Sequence, residues 1–178
     1  MAGNVTLITG GARSGKSAFA LELAGETGRR VYLATAEAKD DEMGDRIARH
    51  RRERGPGWKT VEEPLKLAAA TKRLDGAADA VVVDCLTLWL SNLLGARMKL
   101  DVACESVLKA LSARRTATRF ILVSNEVGMG IVPDKPMARD FRDAAGKLNQ
   151  RVAALADEVY LMVAGIPINI KPTCNPPT

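Results

Sequence analysis

The chain has 178 residues, of which 47% are hydrophobic and 26% charged, and its formal net charge is +5. This length and composition predict one globular domain over residues 1–178, and no apolar run is long enough to insert into a membrane. The two Trp, two Tyr and three Phe are not interleaved with basic residues, so we expect no nucleic-acid partner despite the basic charge.

The first predicted strand, Val5 to Thr9, leads into the most informative motif of the chain. Residues 10–17 read Gly-Gly-Ala-Arg-Ser-Gly-Lys-Ser and match the P-loop pattern G-x-x-x-x-G-K-[ST], and a helix-forming run follows to Ala24. In such a loop the backbone N–H groups and the helix N-terminus bind phosphate oxygens. Lys16 would reach the β- and γ-phosphates, and the Ser17 hydroxyl would bind Mg²⁺. The motif therefore predicts a site for a nucleoside triphosphate rather than a chance glycine-rich turn.

Strands and helices are predicted to alternate along the rest of the chain. Further strands are predicted at Arg30 to Thr35, Trp58 to Val61, Ala80 to Asp84, Phe120 to Val123, Glu158 to Val163 and Ile168 to Lys171. Further helices are predicted at Asp41 to Arg54, Pro64 to Leu74, Leu86 to Leu94, Val102 to Ala113 and Pro136 to Leu155. This alternation predicts an α/β fold with a mostly parallel sheet covered by helices on both faces. Residues 172–178 are Pro-rich and are expected to form a flexible tail.

Polar residues at the ends of several predicted strands should converge with the P-loop, since ligands in such sheets bind beyond the carboxyl ends of the strands. Asp84 has the form of an acid that holds Mg²⁺, although a solvated carboxylate at a strand end looks the same. Asn125 and Glu126 could position an acceptor or cap the next turn. The segment Gly128 to Pro133 is unusually apolar for a loop, which indicates a lid, a subunit contact or ordinary packing.

The only histidine, His50, stands among five arginines: Arg46, Arg49, Arg51, Arg52 and Arg54. A neutral imidazole can attack phosphorus, and nearby guanidinium groups can stabilise charge on the phosphoryl oxygens. The same segment also has the i,i+4 charge pattern of an ordinary solvated helix, so the residue types alone leave both interpretations open. Glu62 and Glu63 could bind a ribose, a base edge or a metal, or form a surface pair.

The cysteines predict the compartment. Cys85, Cys104 and Cys174 are scattered without metal-ligand spacing, and three cysteines cannot all pair within one chain. The first predicted strand begins at Val5, which leaves no signal peptide. We therefore expect a reduced protein in the cytoplasm.

Five motifs together resemble the bifunctional adenosylcobinamide kinase/adenosylcobinamide-phosphate guanylyltransferase family of cobalamin biosynthesis, known as CobU/CobP. They are Thr9 to Ser17; Ala34-Thr35-Ala36; Asp40-Asp41-Glu42-Met43 with Arg46, Ile47 and His50; Asn125 to Pro133; and Ala138 to Gln150. The third and fourth are not general P-loop features, and the resemblance extends from Thr9 to Lys171. This chain differs from some relatives at two positions. It has Arg49-His50 where they have two adjacent histidines, and Asp84 where they have Glu.

The resemblance implies two reactions, a RecA-like P-loop fold and a homotrimer. ATP or GTP would phosphorylate the aminopropanol hydroxyl of adenosylcobinamide, and GTP would then guanylylate a histidine and release pyrophosphate. The GMP would pass to adenosylcobinamide phosphate and give adenosylcobinamide-GDP. The implied catalytic residues are His50 and Lys16, and the implied Mg²⁺ ligands are Ser17 and Asp84. The implied nucleotide contacts are Thr9, Gly10, Gly11, Ala12, Arg13, Ser14, Gly15, Lys16, Ser17, Ala34, Thr35, Ala36, Arg51, Arg52, Glu53, Arg54, Glu62 and Asp84.

Two alternatives fit the P-loop without the other motifs. A simple small-molecule kinase would transfer phosphate without labelling His50. A RecA-like NTPase acting as a switch or assembly module would hydrolyse nucleotide when stimulated by a macromolecule.

Overall fold

The computed structural model describes residues 4–37, 41–114 and 116–171, apart from five side chains of one helix, at positions 42, 43, 46, 47 and 53. The predicted tail 172–178 and the motif residue Asp40 lie outside these ranges. In chain order the elements are β1 (Val5–Gly10), α1 (Lys16–Ala24), β2 (Arg30–Ala34), α2 (Asp41–Glu53), β3 (Trp58–Glu62), α3 (Leu67–Leu74), β4 (Ala80–Asp84), α4 (Leu86–Gly95), α5 (Leu100–Ser112), β5 (Arg119–Val123), α6 (Pro136–Leu155), β6 (Glu158–Val163) and β7 (Ile166–Lys171).

The strands form one sheet in the order β3-β2-β4-β5-β1-β6-β7. Neighbouring strands are parallel except β6 and β7, which form an antiparallel hairpin at one edge. The predicted mostly parallel sheet is confirmed. Strand β1, which leads into the P-loop, lies between β5 and β6, and a single strand, β5, separates it from β4.

Helices cover both faces of the sheet, as predicted, because the central strands are apolar on both sides. On one face Leu7, Leu33 and Val83 pack in a core with residues of α3, α4, α5 and α6. On the other face Ile8 and Val82 pack in a second core with α1. Among the described helices, none combines the length and apolarity that a membrane span needs.

Several boundaries differ from the predicted ones by one to three residues. Strand β2 ends at Ala34 and not at Thr35, and α4 includes Gly95, which was expected to stop it. Helix α3 begins at Leu67 rather than Pro64, because the Glu63 carboxylate accepts hydrogen bonds from the N–H groups of the two residues after the proline. These bonds form a polar turn where the helix was predicted to start.

Candidate active site

The P-loop connects β1 to α1 in a conformation that requires glycine at two positions. Gly10 has φ +148° and Gly15 has φ +93°, both in the region that side chains disfavour. A Cβ atom on Gly10 would lie 2.5 Å from the carbonyl oxygen of Met162 in β6. The turn between β6 and β7 also supports the loop, since the Gly165 N–H donates to the Ser14 carbonyl at 3.1 Å.

Lys16 is buried at the start of α1, with 7% of its surface exposed. Its ammonium donates to the carbonyl oxygens of Gly10 (3.0 Å) and Gly11 (2.5 Å), and contacts Ser14 Oγ at 3.4 Å. The loop thereby holds a cation close to its own backbone, where a phosphate would bind. The phosphate-binding role of Lys16 itself stays a prediction.

The other predicted P-loop contacts surround this lysine. Gly11, Ala12 and Arg13 are exposed at the tip of the loop, whereas Ser17 is half-buried in the first turn of α1. The hydroxyl oxygen of Thr9 is buried, with no hydrogen-bond partner among the described residues. The exposed backbone of the tip is accessible to a ligand.

Three predicted site residues lie side by side at the carboxyl edge of the sheet. In the pairing register Glu62 of β3 is opposite Ala34 of β2, which in turn is opposite Asp84 of β4. With neighbouring strands about 4.8 Å apart, Glu62 and Asp84 are about 10 Å apart along this row. The same row continues through Val123 of β5 to Ile8 of β1. Asp84 and the P-loop therefore lie at one edge, as the strand-end argument predicted.

Thr35 is fully buried behind this row. Its hydroxyl donates to the Cys85 carbonyl at 2.7 Å and accepts from the Cys85 N–H at 2.8 Å. Its own N–H donates to the Asp84 carbonyl at 3.1 Å, and its carbonyl accepts from Asn92 at 2.7 Å. These bonds give Thr35 a supporting position beside Asp84, and a nucleotide contact at Thr35 or the adjoining half-buried Ala36 stays a prediction.

The Asp84 carboxylate is held by a residue that the sequence reasoning missed. The Tyr32 hydroxyl donates to Asp84 Oδ2 at 2.7 Å. Burial, together with the charge of Asp84, raises the pKa of the Tyr32 phenol far above its usual value, so the hydroxyl stays protonated and donates at neutral pH. Side chains alternate along a strand, so Tyr32 and Ala34 lie on the same face of β2. Because Ala34 is paired with Asp84, the contact between Tyr32 and Asp84 could have been predicted once β4 was known to be the neighbouring strand.

The Tyr32 ring also carries one of the predicted arginines. The guanidinium carbon of Arg54 lies 3.8 Å from the ring centroid, and Arg54 Nη2 donates to Thr60 Oγ1 at 3.1 Å. Arg51 pairs with Glu62 at 2.9 Å, in a bridge whose side chains are both more than half exposed. Thus two of the predicted nucleotide-binding residues, Arg51 and Glu62, bind each other.

These contacts attach the end of α2 to the sheet. His50 is half-buried in the last turn of this helix, while Asp45, Arg49 and Arg52 are exposed, as expected for a solvated helix face. The Glu53 side chain lies outside the described part of the chain. Since Arg51 contacts Glu62, the turn that contains His50 lies beside the β3 end of the row that includes Asp84.

The segment after β5 contacts the strand that leads into the P-loop. The Glu126 N–H donates to the Gly10 carbonyl at 3.0 Å, and the Glu126 carboxylate accepts from the Gly128 N–H at 2.6 Å. The side chains of Met129 (81%), Ile131 (98%) and Val132 (60%) are exposed. These exposed side chains do not pack in the core, so the interpretation of this apolar loop as ordinary core packing is wrong. The two other interpretations, a lid or a subunit contact, stay predictions.

Few of the described residues could hold a metal ion. Within the described residues, no group of three or more His, Cys, Asp or Glu side chains could hold a metal ion. Mg²⁺ commonly binds one or two protein oxygens and completes its shell with substrate phosphates and water. Asp84, with one oxygen held by Tyr32, and the half-buried Ser17 fit that pattern, in which nucleotide phosphates and water would supply the remaining ligands.

Comparison with known proteins gives a consistent result over nearly the whole chain. A family model described as cobinamide kinase / cobinamide phosphate guanyltransferase matches residues 6–170. The bifunctional adenosylcobalamin biosynthesis protein CobP of Pseudomonas aeruginosa is 48% identical over 168 residues, which cover 93% of this chain and 96% of that protein. The bifunctional adenosylcobalamin biosynthesis proteins CobU of Salmonella typhimurium and Escherichia coli are each 40% identical over 178 residues, covering 93% of this chain and 98% of each relative.

Solved structures of more distant proteins show the fold alone. The KaiC-like protein PH0186 of Pyrococcus horikoshii is 16% identical with a TM-score of 0.51, covering 90% of this chain and 71% of that one. The RadB recombinase is 18% identical with a TM-score of 0.52, covering 90% of this chain and 74% of that one. The fold is that of the RecA-like P-loop ATPases, as the sequence motifs indicated.

Proposed function

This chain belongs to the cobinamide kinase / cobinamide phosphate guanyltransferase family and is a bifunctional enzyme of adenosylcobalamin biosynthesis, and we propose that it transfers GMP through a covalent intermediate on His50. One observation carries this proposal. The helical turn that contains His50 is attached through the Arg51–Glu62 bridge to the strand row of Asp84, at the edge where the P-loop lies. The imidazole, the arginines and the Asp84 carboxylate therefore share with the P-loop the edge of the sheet at which a nucleotide would bind.

In the kinase reaction the P-loop positions a nucleoside triphosphate, ATP or GTP, for attack by the cobinamide hydroxyl. The hydroxyl oxygen forms a bond to the γ-phosphorus, the bond to the β,γ-bridging oxygen breaks, and nucleoside diphosphate leaves. The hydroxyl proton passes to solvent. Lys16 contributes positive charge where negative charge spreads over the phosphoryl oxygens, and this positioning needs no covalent intermediate on the protein.

In the guanylyl transfer a ring nitrogen of neutral His50 attacks the α-phosphorus of GTP. The bond to the α,β-bridging oxygen breaks, pyrophosphate leaves, and the imidazole loses the proton from its other ring nitrogen as charge is neutralised. A phosphate oxygen of cobinamide phosphate then attacks the same phosphorus and breaks the N–P bond, and the leaving imidazole regains a proton on its other ring nitrogen, which restores neutral His50. Splitting the exchange into two displacements makes each step easier, and Arg51, Arg52 and Arg54 are the guanidinium groups near the developing charge.

We propose that both steps use Mg²⁺ bound through Ser17 and Asp84. The ion would neutralise charge on the phosphate oxygens during each displacement. The residues of this chain supply two of its ligands, and Tyr32 holds the carboxylate that provides one of them.

The decisive experiment is to incubate the protein with GTP radiolabelled at the α-phosphate, denature it and map the labelled peptide. A label on His50 that is stable in base and labile in acid supports the guanylyl-histidine intermediate. GTP labelled at the γ-phosphate serves as the control and should leave no label there. A protein that binds GTP but retains no α-label would be a simple kinase, and the proposed intermediate would be refuted.

We further propose a homotrimer located in the cytoplasm. The resemblance to the family suggests three subunits, and the exposed Met129, Ile131 and the β7 side chains Ile166, Ile168 and Ile170 offer apolar surface for subunit contact. The two described cysteines, Cys85 and Cys104, are free thiols, which fits a reducing compartment. Light scattering after gel filtration should give three times the chain mass, and a monomeric mass would refute the trimer.

A further inference from the structure

Tyr32 contacts two groups that the proposed function uses. It occupies the middle of β2, where only 4% of its surface is exposed. Its hydroxyl donates to Asp84 on β4, and its ring lies under the guanidinium of Arg54, just after α2. One side chain thus connects a strand-end carboxylate to the arginines around His50, across elements that are far apart in sequence.

We propose that Tyr32 is a positioning residue, which orients Asp84 for the metal and Arg54 for the guanylyl transfer at the same time. This inference rests on the proposed function, because it takes Asp84 as a metal ligand and Arg54 as a phosphate contact. In this role Tyr32 acts through Asp84 and Arg54.

The hydroxyl acts on the carboxylate. Asp84 is the last residue of β4, and its side chain is half-buried there. The 2.7 Å bond from the Tyr32 hydroxyl to Oδ2 orients the carboxylate. Hydrogen bonds of this kind to a metal-binding group typically change metal affinity or activity by about 10–100-fold when they are removed.

The ring acts on the arginine. It is held edge-on to Trp58, with 6.4 Å between ring centroids, and Arg30 lies over that tryptophan at 5.1 Å. Arg54 therefore rests on this aromatic ring at 3.8 Å, and its guanidinium also donates a hydrogen bond to Thr60. A guanidinium held in this way keeps one direction, which matters because its hydrogen bonds to phosphate depend on geometry.

Two substitutions separate the two contacts. Tyr32→Phe removes the hydroxyl and keeps the ring, so it should disturb Asp84 alone. Tyr32→Leu removes both the hydroxyl and the ring. Tyr160→Phe is the matched control, since Tyr160 lies on β6, three strands away from β4, where its ring packs edge-on to Phe19 at 5.0 Å.

The first measurement is Mn²⁺ binding without turnover. Each variant is saturated with a GTP analogue that has a methylene group between the α- and β-phosphates, and free Mn²⁺ is followed by electron paramagnetic resonance. We expect Tyr32→Phe to raise the Mn²⁺ dissociation constant about tenfold or more, while Tyr160→Phe leaves it unchanged. A purely structural tyrosine would lower the melting temperature without changing this constant.

The second measurement is a double-mutant cycle. If Tyr32 acts through Asp84, Tyr32→Phe should have no further effect on Mn²⁺ binding in an Asp84→Asn background. An unchanged dissociation constant in Tyr32→Phe, or effects of the two substitutions that add in full, would overturn the role of the hydroxyl.

The third measurement tests the ring. At saturating Mn²⁺, the rate of labelling by α-labelled GTP should be about tenfold lower in Tyr32→Leu than in Tyr32→Phe, because only the former releases Arg54. Equal rates would overturn the role of the ring. The Mn²⁺ experiments do not depend on labelling of His50. If the wild-type protein acquired no label, the proposed intermediate would be refuted, but Mn²⁺ binding would still decide the role of the Tyr32 hydroxyl.

Discussion

Replacing Gly10 by alanine should destabilise the protein strongly, whereas the same change at the next residue, Gly11, should not. The new Cβ at position 10 would lie 2.5 Å from the Met162 carbonyl oxygen and 2.9 Å from Ser14 Oγ, and φ there is +148°. The first atom belongs to the backbone of β6, which is paired with Gly10 in the sheet, so relief requires the two strands to move apart. At Gly11 a Cβ would have no neighbour within 4 Å.

The size of the effect follows from two contributions. Forcing extra atoms into a packed site costs about 1–3 kcal/mol, and an unfavourable backbone conformation costs about 1–3 kcal/mol. A combined loss of about 3 kcal/mol would lower the melting temperature by about 6–12 °C in a domain of this size. Gly11→Ala should stay within about 0.5 kcal/mol of the wild type.

Thermal and urea unfolding followed by circular dichroism measure both variants under the same conditions. The reasoning would be refuted if the two variants had equal melting temperatures, or if Gly11→Ala were the less stable. GTP binding should be retained in Gly11→Ala, which keeps every main-chain group of the loop.

Three further predictions concern single side chains. His50→Ala should abolish guanylyl transfer and retain most of the kinase activity, with Arg49→Ala as the control from the same helix; equal loss of both activities in a folded His50 variant would count against separate roles. Lys16→Ala should reduce both activities by about 100-fold or more, and normal turnover would contradict the P-loop assignment. Burial, and next the charge of Asp84, raises the pKa of the Cys85 thiol from 9.0 to about 11, so the thiolate fraction at pH 8 should be about 100-fold below that of an ordinary thiol. Its alkylation, followed by peptide mass spectrometry, should therefore rise about tenfold per pH unit up to about pH 11; a plateau near pH 9 would disprove the shift.

The exposed charges at the proposed site contribute little to stability. The Arg51–Glu62 pair is more than half exposed on both sides, and bridges of this kind are worth at most about 1 kcal/mol. Arg51 can therefore exchange its carboxylate for a phosphate at little cost to the fold. Arg54, which rests on Tyr32 and binds Thr60, is more firmly fixed.

The sequence by itself determined the parts of this protein that are local. The P-loop is a contiguous pattern, and its strand-loop-helix context could be predicted because hydrophobic periodicity and glycine positions act over a few residues. The strands at Ala80 to Asp84 and Glu158 to Val163 and the helix from Pro136 to Leu155 were predicted at their observed bounds. The predicted start of α3 was wrong, since a carboxylate-to-backbone turn at Glu63 competed with the proline signal.

Only the tertiary structure decided which distant residues meet. The strand order places Ala34 between Glu62 and Asp84, and pairing between residues about fifty positions apart leaves no local pattern in one sequence. For the same reason Tyr32 looked like an ordinary strand residue, and the hydrogen bonds of Thr35 to the backbone of Asp84 and Cys85 could not be predicted. Their positions follow from the order and register of the strands, which are fixed by packing of the whole sheet rather than by any single segment.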